Sequence, residues 1–211
     1  SDLQVGALTT AQVKALSAAQ VTALTTASVA NLSTDQLKAL SSSQVRALTT
    51  SAVAGMSSTQ VNALSTSQVA SLSTEQVNAI STTTLSGLST TNVAGLTTSQ
   101  VAVLDASDVQ AMSTSQVAAL TAKQVGAMTT TAVAALSTDQ VKALTTEQVQ
   151  SLTVGDLNAL STSQVGALST SQVSALKDSQ IAGLTTGTLT SLSTTQVAAL
   201  TANQIKALTT T

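Results

Sequence analysis

Large apolar side chains recur along this chain in pairs three places apart, with a small residue just before the second, and the whole pattern repeats every eight residues. Ser137-Thr138-Asp139-Gln140-Val141-Lys142-Ala143-Leu144 is its cleanest statement. Numbered from Ser1, 26 octads run without insertion or deletion to Leu208, and Thr209, Thr210 and Thr211 open a further unit. Place one is Ser, Thr or Asp in every octad but the one beginning at Lys177, and place four is usually Gln. Ser-x-x-Gln is a capping box: the N-cap hydroxyl accepts from the backbone N–H at N3, and the N3 side chain accepts from the N-cap N–H. Leu, or Ile80, Met56, Met112 or Met128, precedes the cap, and Val, Leu or Ile stands at N4, which together make a hydrophobic staple. Each octad therefore carries both devices that start a helix.

The charges agree. All nine acids (Asp2, Asp35, Glu75, Asp105, Asp108, Asp139, Glu147, Asp156, Asp178) fall at places one to four, and five of seven bases (Lys14, Lys38, Arg46, Lys142, Lys206) fall at place six, as a short helix dipole favours. Lys123 and Lys177 are the exceptions. Asp35 with Lys38 and Asp139 with Lys142 are expected i,i+3 pairs. The pattern predicts about one and a half helical turns per octad, then a sharp corner.

A continuous helix would turn each octad by about 80° from the last, so its apolar stripe would wander. It would also place Ser and Thr throughout a helix interior, where they compete for backbone hydrogen bonds. A β-solenoid is the alternative, given the Val and Thr, but apolar residues at places five, seven and eight lack the two-residue period of strands. The expected fold is thus an all-α solenoid of about 26 very short capped helices, one per octad, over 1–211 as a single array and an excerpt of a longer one.

Place four lacks an amide at Ser28, Ala52, Thr84, Asp108, Ala132, Asp156 and Thr188, three or four octads apart. If these share one face of a superhelix, a turn takes roughly 3.3 octads, or about 27 residues. Small residues at place seven, with Gly55, Gly87, Gly95 and Gly183 among them, imply close backbone approach on that face. Burying one Val and one Leu yields roughly 3–6 kcal/mol per octad, against about 1.5 kcal/mol of entropy per ordered residue. Stability must therefore belong to the array.

Phe, Tyr, Trp, His, Cys and Pro are absent, and the net charge is −2. Such a chain lacks the basic footprint that neutralises phosphates, so nucleic acid is not an expected partner. No apolar run approaches the ~20 residues of a membrane span, and the N-terminus has no signal-peptide pattern. Without His or Cys no Ser or Thr has an evident activating base, so no enzyme, catalytic residue or cofactor is expected. Asp105 and Asp108 are better read as an N-cap and its N3 partner than as calcium ligands, which need six to eight oxygens. Asp156 is read the same way. Asn31-Leu32-Ser33 matches a glycosylation sequon but fits equally a helix end followed by a cap. Gly155 and Gly187, at place three, form no phosphate-binding pattern.

The unit Leu-Ser/Thr-x-x-Gln-Val-x-Ala-Leu resembles tandem octapeptide arrays within very large bacterial surface or secreted proteins, over the whole chain. That resemblance implies an extracellular or cell-surface location and a structural role as spacer, stalk or fibre, with neighbouring repeats or further copies, end to end, as partners. A hydroxyl-rich surface for carbohydrate, ice or another cell surface is the alternative. Leu144-Thr145-Thr146-Glu147-Gln148-Val149 is also similar to the first helix of the TAL-effector repeat. That likeness ends after eight residues, without a second helix or base-reading loop, and DNA reading is not carried over.

Overall fold

A computed structural model describes residues 2–208. Ser1, the first expected cap, and Thr209–Thr211, the start of a further octad, lie outside the described residues. Within them the chain forms 26 helices of four to seven residues, from Asp2–Gly6 to Ala202–Leu208, one per octad and without a strand. The all-α repeat solenoid is the observed fold, and neither the continuous helix nor the β-solenoid is.

Octad 9 shows how eight residues make a helix and a corner. Ser65 is extended (φ −67°, ψ 160°) and caps the helix Thr66–Ser71. Its Oγ accepts from Gln68 N at 3.2 Å while Gln68 Oε1 accepts from Ser65 N at 2.8 Å, so the box is reciprocal. Val69 N donates to Ser65 O at 2.9 Å, and Leu72 N closes a tighter final turn on Val69 O at 3.1 Å. Leu72 is then near the polyproline region (φ −57°, ψ 141°), and the next cap, Ser73, is extended again. Two successive extended residues, both of ordinary negative φ, turn the corner. No residue of either kind, glycine or other, has a positive φ among the described residues, which is why no place in the octad is reserved for Gly or Asn.

The chain divides into two compact units, Ser1–Leu104 and Asp105–Thr211. In each, the helix of one octad packs on the helix three octads later: octads 1, 4, 7, 10 and 13 form one such column in the first unit, and octads 14, 17 and 20 another in the second. Hydrogen bonds between successive turns join residues 23 to 31 apart, such as Thr25 to Asp2, Asn62 to Gly87 and Gln68 to Leu37. These separations bracket the turn of roughly 27 residues expected from the place-four irregularities. Asp108, Ala132 and Asp156 do stand on successive packed helices.

The core consists of place five and place eight, exemplified by Val69, Leu72, Val141 and Leu144, all buried. Place seven faces place two of the octad three earlier. A Cβ built on Gly55 would come within 2.2 Å of Thr26 Cγ2, and one on Gly183 within 2.7 Å of Val154 Cγ1. The expected close approach is real. Of the two expected surface ion pairs, Lys38 Nζ lies 3.8 Å from Asp35 Oδ1. Asp139 and Lys142 form no such pair, consistent with the entropy cost of holding two long, solvated side chains together.

Candidate functional site

The polar side chain at place four does more than close the capping box. From Gln36 onward the place-four Gln side chains, Gln68, Gln100 and Gln148 among them, are buried, and amide nitrogens such as theirs cross to the preceding turn, whereas Gln12 and Gln20 are exposed. Gln100 Nε2 donates to Val69 O at 2.8 Å and Leu72 O at 2.7 Å. Gln140 Nε2 makes the same two bonds to Val109 O and Met112 O, both at 2.7 Å. The place-eight carbonyl has no partner in its own helix, and the place-five carbonyl already takes one bond from its own final turn, as Val69 O does from Leu72 N at 3.1 Å, and uses its second lone pair. One side chain thus satisfies the start of its own helix and the end of another, four octads back. Sequence reasoning assigned only the first task.

Place six contributes a second set of bridges. Asn62 Nδ2 donates to Gly87 O at 2.8 Å and its Oδ1 accepts from Ser89 N at 2.7 Å. Asn158 repeats this with Gly183 O at 3.0 Å and Thr185 N at 2.9 Å. Thr22 Oγ1 and Gln150 Nε2 donate to the carbonyls of Ala47 and Ala175, at 2.9 and 2.7 Å. Place six was expected to hold bases for the helix dipole. At these four octads it also ties one turn to the next.

Where place four has no amide, the hydrogen bonds are rerouted. Ser28 Oγ and Thr25 Oγ1 donate to Asp2 Oδ1 at 2.5 and 2.6 Å, and these two bonds, Ser28's first, hold the Asp2 carboxyl below its ordinary pKa. Asp156 accepts from Thr153 N, Thr153 Oγ1 and Thr130 Oγ1 at 2.7–2.8 Å. Asp105 and Asp108 cap each other's backbone N–H groups, at 2.9 and 3.2 Å. Burial pushes the Asp108 carboxyl above its ordinary pKa; its bond from the Asp105 backbone opposes this, and the Asp105 charge adds to it. Glu75 and Glu147 are held below theirs, chiefly by their own backbone N–H and then by the hydroxyls of Ser73 and Thr145.

The remaining sequence candidates fall into structural positions. Asn31 is exposed at a helix end, beside Gly6. Gly155 and Gly187 lie in the first turns of the helices Val154–Ala159 and Thr186–Thr190. Lys177 is an N-cap whose ammonium cannot accept; Gln180 Oε1 still accepts from Lys177 N at 2.8 Å. The N3 N–H turns instead to the Lys177 carbonyl, at 2.9 Å, a backbone rescue seen at no other cap among the described residues. Among the described residues no group of three or more Asp, Glu, His or Cys is placed to hold a metal ion, no buried side-chain polar atom lacks a partner, and no helix is long and apolar enough to cross a membrane.

Short capped helices, tiled every eight residues and tied turn to turn by amides, define a tandem short-repeat array. The ALTTAQ repeat model matches residues 2–34, 19–50, 29–66, 43–74, 69–106, 101–136, 124–154 and 154–186. The chain belongs to the ALTTAQ repeat family. Ala7-Leu8-Thr9-Thr10-Ala11-Gln12 spells that motif, and on the structure it runs from the end of one helix, through the corner, to the Gln of the next. Each matched window spans about four octads, the separation that the amide ladder bridges. No curated protein matches the chain.

Proposed function

We propose that this array is a spacer: an elongated extracellular segment, stalk or fibre-forming part of a large surface or adhesin-like protein, which holds what flanks it at a set distance and performs no catalysis. The observation that carries the reading is the ladder of place-four amides. Octad after octad makes the same bonds to the turn before it, as Gln68, Gln76 and Gln100 do, so repeat number fixes length and no step closes the stack. The hydrogen-bonding capacity of the repeated Gln is spent on neighbouring octads, which suits a part whose output is geometry. The location rests on the resemblance of its octad to arrays in bacterial surface and secreted proteins, and on a cysteine-free sequence that is indifferent to an oxidising exterior.

Small-angle scattering of the chain and of its tandem duplication tests the mechanical part. Packed helices lie about 8–10 Å apart, so roughly three octads per turn give about 3 Å of length per octad. Doubling should lengthen the particle by about 80 Å at unchanged cross-section, against about 310 Å for a continuous helix at 1.5 Å per residue. A duplication that thickens without lengthening would remove the spacer reading. Antibody labelling of intact cells tests the location, and label that appears only after lysis would overturn it.

A further inference from the structure

Octad 7, residues 49–56 with the helix Thr50–Ala54, lies inside the first unit but is tied to the turns on either side more weakly than octads 5, 6, 8 and 9. Its place-four residue is Ala52, buried and without an amide, so Val21 O and Leu24 O, where a glutamine at that place would reach, receive no side chain among the described residues. From the other side comes Thr84, whose Oγ1 donates to Met56 O alone, at 3.3 Å. Place six is Ala54, which cannot bridge to the next turn as Asn62 does one octad later. The remaining tie runs from Thr26 Oγ1 to Ser51 O, at 3.1 Å. Octad 7 is thus held by two hydroxyl bonds, both longer than the usual 2.7–2.8 Å or so, and by no amide on either side. Octad 8 has Gln60 reaching back and Asn92 reaching to it, and octad 9 has Gln68 and Gln100. A small residue at place four does not suffice for this isolation. Ala132 shares it, yet its octad receives Gln164 Nε2 at Ala134 O and Leu136 O and sends Thr130 Oγ1 to Asp156.

We infer that octad 7 is a joint: its helix opens locally while the octads around it stay stacked, and the first unit bends there. Local opening is drawn from segments whose contacts are fewest, and octad 7 lacks the cross-turn bonds that hold its neighbours. The turns do not part, because Gln60, Gln68 and Gln76 keep their bonds to the turn before. The gap widens only on the face that carries octad 7. A stack bonded on every face is stiff, whereas a seam without bonds on one face can tilt. Val53 and Met56 close the seam by burial alone, and Met is the unbranched, adaptable side chain that repacks with least penalty. A spacer with such a joint holds what flanks it at a set distance and a variable angle. The use of the joint rests on the spacer reading; its opening does not.

The three methionines, all at place eight, report the opening without a label. In the closed structure Met56 is the least exposed, at 2%, against 4% for Met112 and 7% for Met128. Hydrogen peroxide converts an accessible thioether to the sulfoxide, transferring one oxygen and leaving water. Static exposure therefore ranks Met128 first and Met56 last, and a joint at octad 7 reverses the order. Timed oxidation of the full folded chain, read at each methionine by peptide mass spectrometry, should convert Met56 at least roughly threefold faster than Met112 or Met128. Ala52→Gln supplies the missing amide and completes the box with Thr49. It should slow Met56 by about tenfold, the worth of one net hydrogen bond, and leave the other two unchanged. Thr84→Gln installs the rung on the other side and provides the test if residue 52 does not accept the larger side chain. An order that follows static exposure, or a Met56 rate that neither variant slows, overturns the proposal. Scattering still measures length per octad, so failure here is separable from failure of the spacer reading.

Discussion

Replacing Gln100 by Glu isolates the ladder from the capping box. Glu retains an oxygen to accept from Thr97 N, now 2.6 Å from Gln100 Oε1, and so preserves the local helix start. It loses the amide that donates to Val69 O at 2.8 Å and Leu72 O at 2.7 Å, and it places a carboxylate against two carbonyl oxygens at a site only 1% exposed. Leu72 O, stripped of its partner, costs about 1–3 kcal/mol, while Val69 O keeps its bond from Leu72 N at 3.1 Å, and an unpaired buried charge adds to this until it is neutralised by protonation. The expected loss is roughly 3–5 kcal/mol at pH 7. The sign with pH is definite. Burial raises the folded-state pKa of the introduced carboxyl above the unfolded value of about 4.3, so the charge penalty is absent below that value and grows as pH rises through the folded pKa. At pH 4 the protonated acid can donate one bond, and the loss should shrink to about 1–2 kcal/mol. Urea unfolding at both pH values, read as midpoint and slope, measures it. Thr97→Ala in the same helix removes the other half of the box and calibrates local sensitivity at about 1 kcal/mol. A Glu variant no worse than Thr97→Ala, or one whose loss is independent of pH, would refute the ladder as a source of stability.

Gly55→Ala should destabilise by about 1–3 kcal/mol, against the gain that helix propensity alone would give, because the new methyl meets Thr26 Cγ2 at 2.2 Å; Gly166→Ala, with nothing within 4 Å, should stabilise by about 0.5–1 kcal/mol, and equal thermal shifts for the two would reject turn-to-turn contact at place seven. Lys177→Ser should stabilise by about 0.5–1 kcal/mol, the low end for a restored cap, since the backbone bond from Gln180 N to Lys177 O already meets part of the need; a destabilised variant in chemical denaturation would count against a helix start there. Asn62→Ala should cost about 1–2 kcal/mol by orphaning Gly87 O and Ser89 N, while Asn78→Ala, also at place six, should fall within about 0.5 kcal/mol of the parent; matched losses in urea melts would show that the Asn62 bridge contributes nothing.

What could be read from the sequence was whatever an octad states about itself. Ser65 with Gln68 is a capping box and Leu64 with Val69 a staple by type and spacing alone, and the fold follows from repeating them. The small residues at place seven gave away a close approach because only a neighbouring backbone or side chain excludes a Cβ at so many equivalent positions. The partner of that approach, place two of the octad three earlier, could not be read, since it depends on how far each corner turns the chain. The ladder was hidden for the same reason. One signal did point to it: the box accepts Glu as well as Gln, yet Glu75 and Glu147 both stand at place three and none at place four. A position that takes Gln in most octads and never Glu, when either would cap, is a position where a donor is useful.

The irregular octads carry this argument furthest, because there the two tasks of place four come apart. Asn92 is too short to do both. Its Nδ2 keeps the ladder, donating to Val61 O at 2.9 Å and Leu64 O at 3.2 Å, and its Oδ1 no longer reaches Ser89 N but accepts from Ser89 Oγ instead. The abandoned cap N–H goes to Asn62, 27 residues earlier. Thr188 can serve neither task fully, and the same substitution of partners appears: Thr185 N goes to Asn158, again 27 residues earlier, and Thr188 Oγ1 joins it there at 2.9 Å. In both cases the asparagine stands at place six of an octad four before the irregular one, where its amide also holds the carbonyl of a glycine at place seven. A lapse in the box at one turn is thus matched by a bridge from the turn before. At these two octads stability is a relation between turns rather than a property of one octad; at Ala52 and Ala132, by contrast, the box keeps only its N-cap half, Thr49 Oγ1 accepting from Ala52 N and Thr129 Oγ1 from Ala132 N.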